Sequence, residues 1–165
     1  ESVNISGKGI GVVILGYGEQ KYKEELNQLA ISLDIPIYFH DAVPVGELWE
    51  YIGAVDVGVS LATNSCVNHY FMLPNKIFEN IQSMTPIIAS EFPEIKNIIE
   101  GYKVGICCDS SDKKSISNAI RRLKEDKELY SDFKRNLILA KKELCWENEK
   151  KLLENAYINV FKKYK

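Results

Sequence analysis

The sequence predicts an α/β fold: a doubly wound parallel sheet carrying extra helices at its C-terminal end. Three observations carry this reading. Five short apolar segments alternate with segments whose apolar residues recur at helical spacing. The first apolar segment runs into a glycine turn, Gly16-Tyr17-Gly18, and then a helical pattern, which is how a βαβ unit opens. Ile87-Ile88-Ala89 is wholly apolar, as a strand buried on both faces must be.

Each element has its own justification. Residues 1–9 are polar with glycines, and are expected to be irregular. Residues 11–15 read as a buried strand. A helix follows through Glu24, Leu26, Leu29, Ala30 and Leu33. Residues 35–39 read as the second strand, ending in His40, Asp41, Ala42, Val43 and Pro44. Residues 46–54 predict a short helix with Leu48, Tyr51 and Ile52 inward, and residues 56–60 the third strand. Residues 61–70 are a polar loop holding Asn64, Ser65, Asn68 and His69.

The stretch from 71 to 91 organises the rest. Pro74 suits the first turn of a helix, where its missing N–H would be unpaired anyway. Ile77, Phe78, Ile81 and Met84 recur on one face of helix 74–84, and Pro86 stops it before strand 86–89. Pro93 opens a helix over 93–100 with Glu94 in its first turn, Gly101 ends it, and residues 104–107 form the last strand. Asp112 is an N-cap for a helix with Ile116, Ile120 and Leu123 on one face. A helix over 127–142 carries Leu129, Tyr130, Phe133 and Leu137. The last helix, 146–164, places Trp146, Leu153, Tyr157, Val160 and Tyr164 on one stripe. The crossovers between parallel strands should be right-handed, giving a Rossmann-like domain with its ligand crevice at the strands' carboxyl ends. Loops 16–18, 40–44, 60–75 and 90–94 all fall on that edge.

Composition bounds the function. The chain has 165 residues and 45% hydrophobic content, enough for one domain with a real core and too little for two of ordinary size. The net charge of −2 gives no global signal for nucleic acid. Residues 1–111 carry 6 basic and 14 acidic side chains (net −8), and residues 112–165 carry 15 and 9 (net +6). A basic helical tail suits peripheral contact with an anionic membrane surface; the plainer reading is a solvated helical face. Cys66, Cys107, Cys108 and Cys145 form no C-x-x-C pair, which argues against zinc, and the 107–108 pair reads as small core residues in a reducing compartment. No run approaches the ~20 apolar residues of a membrane span, and no signal peptide is visible, so a cytoplasmic location is expected. The start, Glu1-Ser2-Val3-Asn4, reads as that of a cut-down chain.

The candidate site follows from the central helix. Asn75 and Lys76 sit at its N-terminus, where free N–H groups and the dipole favour an anion. Glu79 lies one turn further in, where a carboxylate can take the ribose hydroxyls of whatever that anion carries. Gly16-x-Gly18 lacks the third glycine of a dinucleotide fingerprint, and both a tight turn and a ligand contact stay open for it. His40 reads as either a catalytic or a structural loop histidine.

These residues also resemble a family. Leu73-Pro74-Asn75-Lys76-x-Phe78-Glu79, followed by Thr85-Pro86-Ile87-Ile88-Ala89-Ser90, resembles the donor-binding motif of GT-B fold retaining glycosyltransferases of the group 1, family 4 type. Further similar stretches are 14–19, 46–60, 104–112 and the helix beginning Trp146-Glu147-Asn148-Glu149, so the likeness covers residues 10–161. It implies a C-terminal domain that binds a nucleotide-sugar, a UDP- or GDP-sugar, for transfer to a glycan or lipid-linked acceptor in bacterial capsule or lipopolysaccharide-type polysaccharide synthesis. It implies that Glu79 holds the ribose hydroxyls, that the Leu73, Pro74 and Asn75 loop approaches the diphosphate, and that Lys76 adds positive charge. By the same resemblance His40, Asp41 and Val43 meet the base, while Gly16, Tyr17 and Gly18 border the sugar–phosphate region. Retaining transfer with no metal and no other cofactor is implied. The sequence departs from the pattern at Phe71, where the first glutamate of a Glu-x7-Glu motif would stand. The loop before residue 10 that supplies an arginine and a lysine to the diphosphate, and the N-terminal acceptor domain, are expected to be missing, which would leave residues 1–165 a single donor-binding domain, inactive in isolation.

Other readings remain. A nucleotide-sugar epimerase of the same fold would want more acid–base residues around the crevice than His40 and the loop carboxylates. A receiver-like signalling module would need an acidic pair after the first strand, where this chain has Gly16-Tyr17-Gly18, and a phospho-acceptor at a strand end, whereas Asp56 begins its strand. A non-catalytic Rossmann-like binding module is the last alternative.

Overall fold

The computed structural model describes residues 1–163. Five parallel strands alternate with helices, as the sequence predicts: β1 (Val12–Leu15), β2 (Ile37–His40), β3 (Gly58–Ser60), β4 (Ile87–Ser90) and β5 (Gly105–Cys108). The helices are α1 (Ser2–Ile5), α2 (Gln20–Ser32), α3 (Leu48–Gly53), α4 (Val67–Tyr70), α5 (Asn75–Gln82), α6 (Pro93–Tyr102), α7 (Lys113–Glu125), α8 (Lys127–Glu143) and α9 (Trp146–Lys163).

The core forms around β4, all four residues of which are buried. Successive strand side chains point to opposite faces. Ile87 and Ala89 accordingly enter a cluster with Ile77 and Ile81 of α5, Ile95 and Ile99 of α6 and Leu137 of α8. Ile88 enters a second cluster with Cys108, Ala119, Leu123 and Phe133. Helices therefore cover both faces of β4, which is why its sequence is continuously apolar.

Several expectations need correction. The strands form two sheets, β1-β2 and β3-β4-β5, rather than one; among the described residues the outer edges of β1 and β3 have no strand partner. Apolar composition specifies that a strand wants burial, but says nothing about which edges meet. For the same reason β1, expected to be buried, is half open, with Val13 54% and Ile14 37% exposed. Residues 1–9 are not wholly irregular, because α1 packs on α7, where Ser6 Oγ lies 3.1 Å from Ser117 Oγ. The loop over 61–70 contains the single turn α4.

Pro74 stands at the N-cap of α5, not in its first turn; its extended ψ of 147° lets its carbonyl accept from the Ile77 N–H at 3.0 Å. Met84 lies beyond the helix with φ +60°, so it continues the apolar face from a turn rather than from a helical position. Gly101 is inside α6, and Lys103 ends the helix in the left-handed region at φ +51°, with its carbonyl accepting from Asn136 Nδ2 at 2.9 Å. Asp112 caps α7 as expected, its carboxylate accepting from the Lys114 N–H at 2.9 Å, and Asp126 does the same for α8 through Leu129. The stripe of α9 is uncovered: Trp146, Leu153, Tyr157 and Val160 are 64, 49, 60 and 54% exposed, and Tyr164 lies outside the described residues. No described helix is long and apolar enough to cross a membrane.

Candidate functional site

A cavity of about 500 Å³ opens at the carboxyl end of β3. One wall is the strand end and the residues after it, Val59, Ser60, Leu61 and Ala62. The other is the entry to α5, with Met72, Pro74, Asn75, Lys76 and Glu79. The local sequence builds this arrangement. Ile77 and Ile81 are fully buried and fix the inner face of α5 against β4, so positions 75, 76 and 79 are left on the side that meets the cavity. The first N–H groups of a helix have no intrahelical acceptor, and they carry the positive end of the dipole. One wall thus carries the positive end of a helix with a lysine beside it, and a half-buried carboxylate stands one turn behind.

Asn80 seats this helix against the sheet. It is 6% exposed, and its Nδ2 donates to the Lys76 carbonyl at 2.7 Å. A side chain at Gly58 is excluded, because a Cβ there would lie 1.7 Å from Asn80 Oδ1. Glycine in β3 therefore allows the close approach of α5 that forms the cavity.

Four of the predicted site residues, Pro74, Asn75, Lys76 and Glu79, line this cavity together. The others do not line it. Leu73 precedes it in the chain and is 37% exposed. Gly16, Tyr17, Gly18, His40, Asp41 and Val43 gather instead at the carboxyl ends of β1 and β2. There the Gly16 N–H donates to the His40 carbonyl at 3.0 Å, and Gly16 takes φ +137°, which favours glycine. Tyr17 is 97% exposed. Lys23 Nζ lies 3.9 Å from Asp41 Oδ1, a solvated pair of small energetic weight. The His40 ring lies 4.8 Å from that of Tyr51 in α3, and α3 packs on α5, so this second group is joined to the cavity through α3. Phe71 is 57% exposed and meets Tyr70 edge-on at 5.0 Å. Among the described residues no three His, Cys, Asp or Glu side chains gather as a metal site.

Sequence reasoning placed Ser90 and Ser110 in family-like stretches but gave neither a role at the site. Ser90 is fully buried at the end of β4, and Ser110 lies just past β5; both bind the backbone of Ala62 in the cavity wall. The available signal was a hydroxyl closing the otherwise apolar run Ile87-Ile88-Ala89.

A parallel α/β domain with a cleft at its strands' carboxyl ends, opened by a helix N-terminus, belongs to the class of doubly wound α/β domains. The family model for glycosyl transferases group 1 matches residues 3–139, and the chain belongs to that family. Solved structures agree on the fold. A sucrose-phosphate synthase from Thermosynechococcus elongatus superposes with a TM-score of 0.78 at 17% identity, over 98% of this chain and 41% of that one. Anabaena HepE in complex with UDP-glucose gives 0.76 at 16% identity, over 94% and 43%. WaaG, a glycosyltransferase of lipopolysaccharide biosynthesis, gives 0.64 at 12%, over 86% and 37%. The chain thus spans less than half of each of these proteins. No curated protein matches the sequence.

Proposed function

We propose that residues 1–165 are the donor-binding domain of a retaining glycosyltransferase of the family 4 type, taking a UDP- or GDP-sugar. The observation that carries this reading is the cavity in which the α5 N-terminus, Lys76 and Glu79 converge on one wall. In this reading the Asn75 and Lys76 amides and the Lys76 side chain hold the diphosphate. They stabilise the charge that grows on it as the glycosidic bond to the sugar breaks. Glu79 accepts hydrogen bonds from the ribose hydroxyls. The group at Gly16–Gly18 and His40–Val43 meets the rest of the nucleotide-sugar, with the base at His40, Asp41 and Val43. No metal is invoked, since the helix N-terminus and Lys76 supply the positive potential. HepE binds UDP-glucose and WaaG acts in lipopolysaccharide biosynthesis, which supports a hexosyl donor and a glycan or lipid-linked acceptor of capsule or lipopolysaccharide type. The acceptor site is assigned to a separate N-terminal domain, and transfer is not expected from residues 1–165 alone. The work is placed on the cytoplasmic side, with the basic 112–165 region available for peripheral contact with an anionic membrane surface.

Calorimetric titration with UDP, GDP and their sugars, with and without magnesium, tests this. One nucleotide should bind, with an affinity insensitive to magnesium. Glu79→Ala should weaken it about tenfold or more, as expected for loss of hydrogen bonds to a charged acceptor. Unchanged affinity in that variant would remove Glu79 from the site, and no binding by the native chain would count against the donor reading.

A further inference from the structure

The last registered pair of β3 with β4 is Ser60↔Ala89. No strand pairing continues beyond it, yet Ala62 is still fastened to β4. Its N–H donates to Ser90 Oγ at 2.8 Å, and the same hydroxyl donates to the Ala62 carbonyl at 3.1 Å. A side chain thus performs both hydrogen bonds that the ladder would have made. Ser110 Oγ donates to the same carbonyl at 2.5 Å. The carboxyl ends of β3, β4 and β5 are therefore tied together at one residue, Ala62. That residue lies in the cavity wall formed by residues 59–62, across from Asn75, Lys76 and Glu79.

From this geometry we infer that Ser90 and Ser110 are positioning residues for the cavity, holding residues 60–62 as a fixed wall against the N-terminus of α5. Two consequences follow. The N–H of Ala62 and both lone pairs of its carbonyl are spent within the protein. Ala62 therefore offers a ligand no backbone hydrogen bond. The width of the cavity is also set by hydroxyls that themselves line no part of it. The identity of the ligand rests on the donor reading above; the clamp itself does not.

The test uses Ser90→Ala, Ser110→Ala and Ser110→Thr in residues 1–165. Ser110 is only half-buried, so its variants spare the core even if Ser90→Ala fails to fold. Amide hydrogen exchange is followed at residues 61–63, with Ile88 as the monitor of global opening, and UDP and GDP are titrated. In Ser110→Ala, exchange at 61–63 should rise about fivefold, and affinity for the nucleotide should fall about fivefold, the usual worth of one hydrogen bond. Exchange at Ile88 should stay unchanged, and Ser110→Thr should restore both readouts. Native exchange at 61–63 in the alanine variants overturns the proposal, and so does faster exchange there with full nucleotide affinity. If the native chain takes neither UDP nor GDP, the donor reading fails. The exchange data then decide the clamp alone: a local rise supports it and no rise overturns it.

Discussion

Cys107 and Cys108 sit side by side at the end of β5, and burial pushes their thiols up, to about 12 and about 11. Glu100 adds to the effect at Cys107, and Glu91 at Cys108. Folded-state values above the ordinary thiol value of about 8.5 mean that the native state holds these protons more tightly than the unfolded chain. The stability this contributes is present below about pH 8.5 and is lost as pH rises through the folded values. Melting temperature should therefore decline between pH 9 and 11, and Cys107→Ala should flatten that decline; an equal slope in the variant would remove the thiol as its cause. At pH 8, iodoacetamide should modify exposed Cys66 well before either residue, because only the thiolate attacks. At this scale the sequence was informative where chemistry is local. Asn75, Lys76 and Glu79 follow from their places on one helix. Ser90 and Ser110 reach Ala62 across separations of 28 and 48 residues, which no spacing rule encodes.

At the scale of elements, close packing is set by glycines. Gly105 pairs with Ile87 between β5 and β4, and a Cβ there would lie 2.1 Å from the Ile87 carbonyl oxygen. Backbone inside a fully buried strand has nowhere to retreat. Gly105→Ala should thus cost at least the ordinary overpacking range of about 1–3 kcal/mol, read as a lower urea midpoint. An unchanged midpoint would mean that the two strands separate more readily than their packing implies. Elements were legible where their own pattern decides burial, as in the two-sided β4 and the one apolar face of α5. They were misread where burial depends on a neighbour. Residues 11–15 are as apolar as a buried strand, yet β1 pairs only with β2. The end of α6 was misplaced because Gly101 is the usual stop signal, whereas Lys103 takes the left-handed conformation and Asn136 of α8 satisfies its carbonyl.

For the whole molecule, the division is between a core centred on β4 and a C-terminal helix outside it. Every residue from 149 to 162 of α9 is exposed, including Leu152, Leu153, Tyr157 and Phe161. The helical period was readable because it is a property of the segment alone, but the burial inferred from it was not, since nothing described packs on the stripe. A helix without tertiary packing is marginal in water, because most helical stability in proteins comes from a buried apolar face. Amides of α9 should therefore exchange close to the unprotected rate, while those of β4 and α8 exchange only through global opening. Removing residues 149–165 should leave the unfolding free energy of the remainder, from urea titration, within about 0.5 kcal/mol, the range of changes that touch no packed feature, because Asn148 stays to hold the Lys142 and Glu143 carbonyls at the end of α8. If α9 instead proves as protected as β4, its stripe is covered in solution. Sedimentation at two concentrations then separates the causes: protection that falls with dilution comes from a second copy, and protection that does not comes from α9 folding back on its own domain.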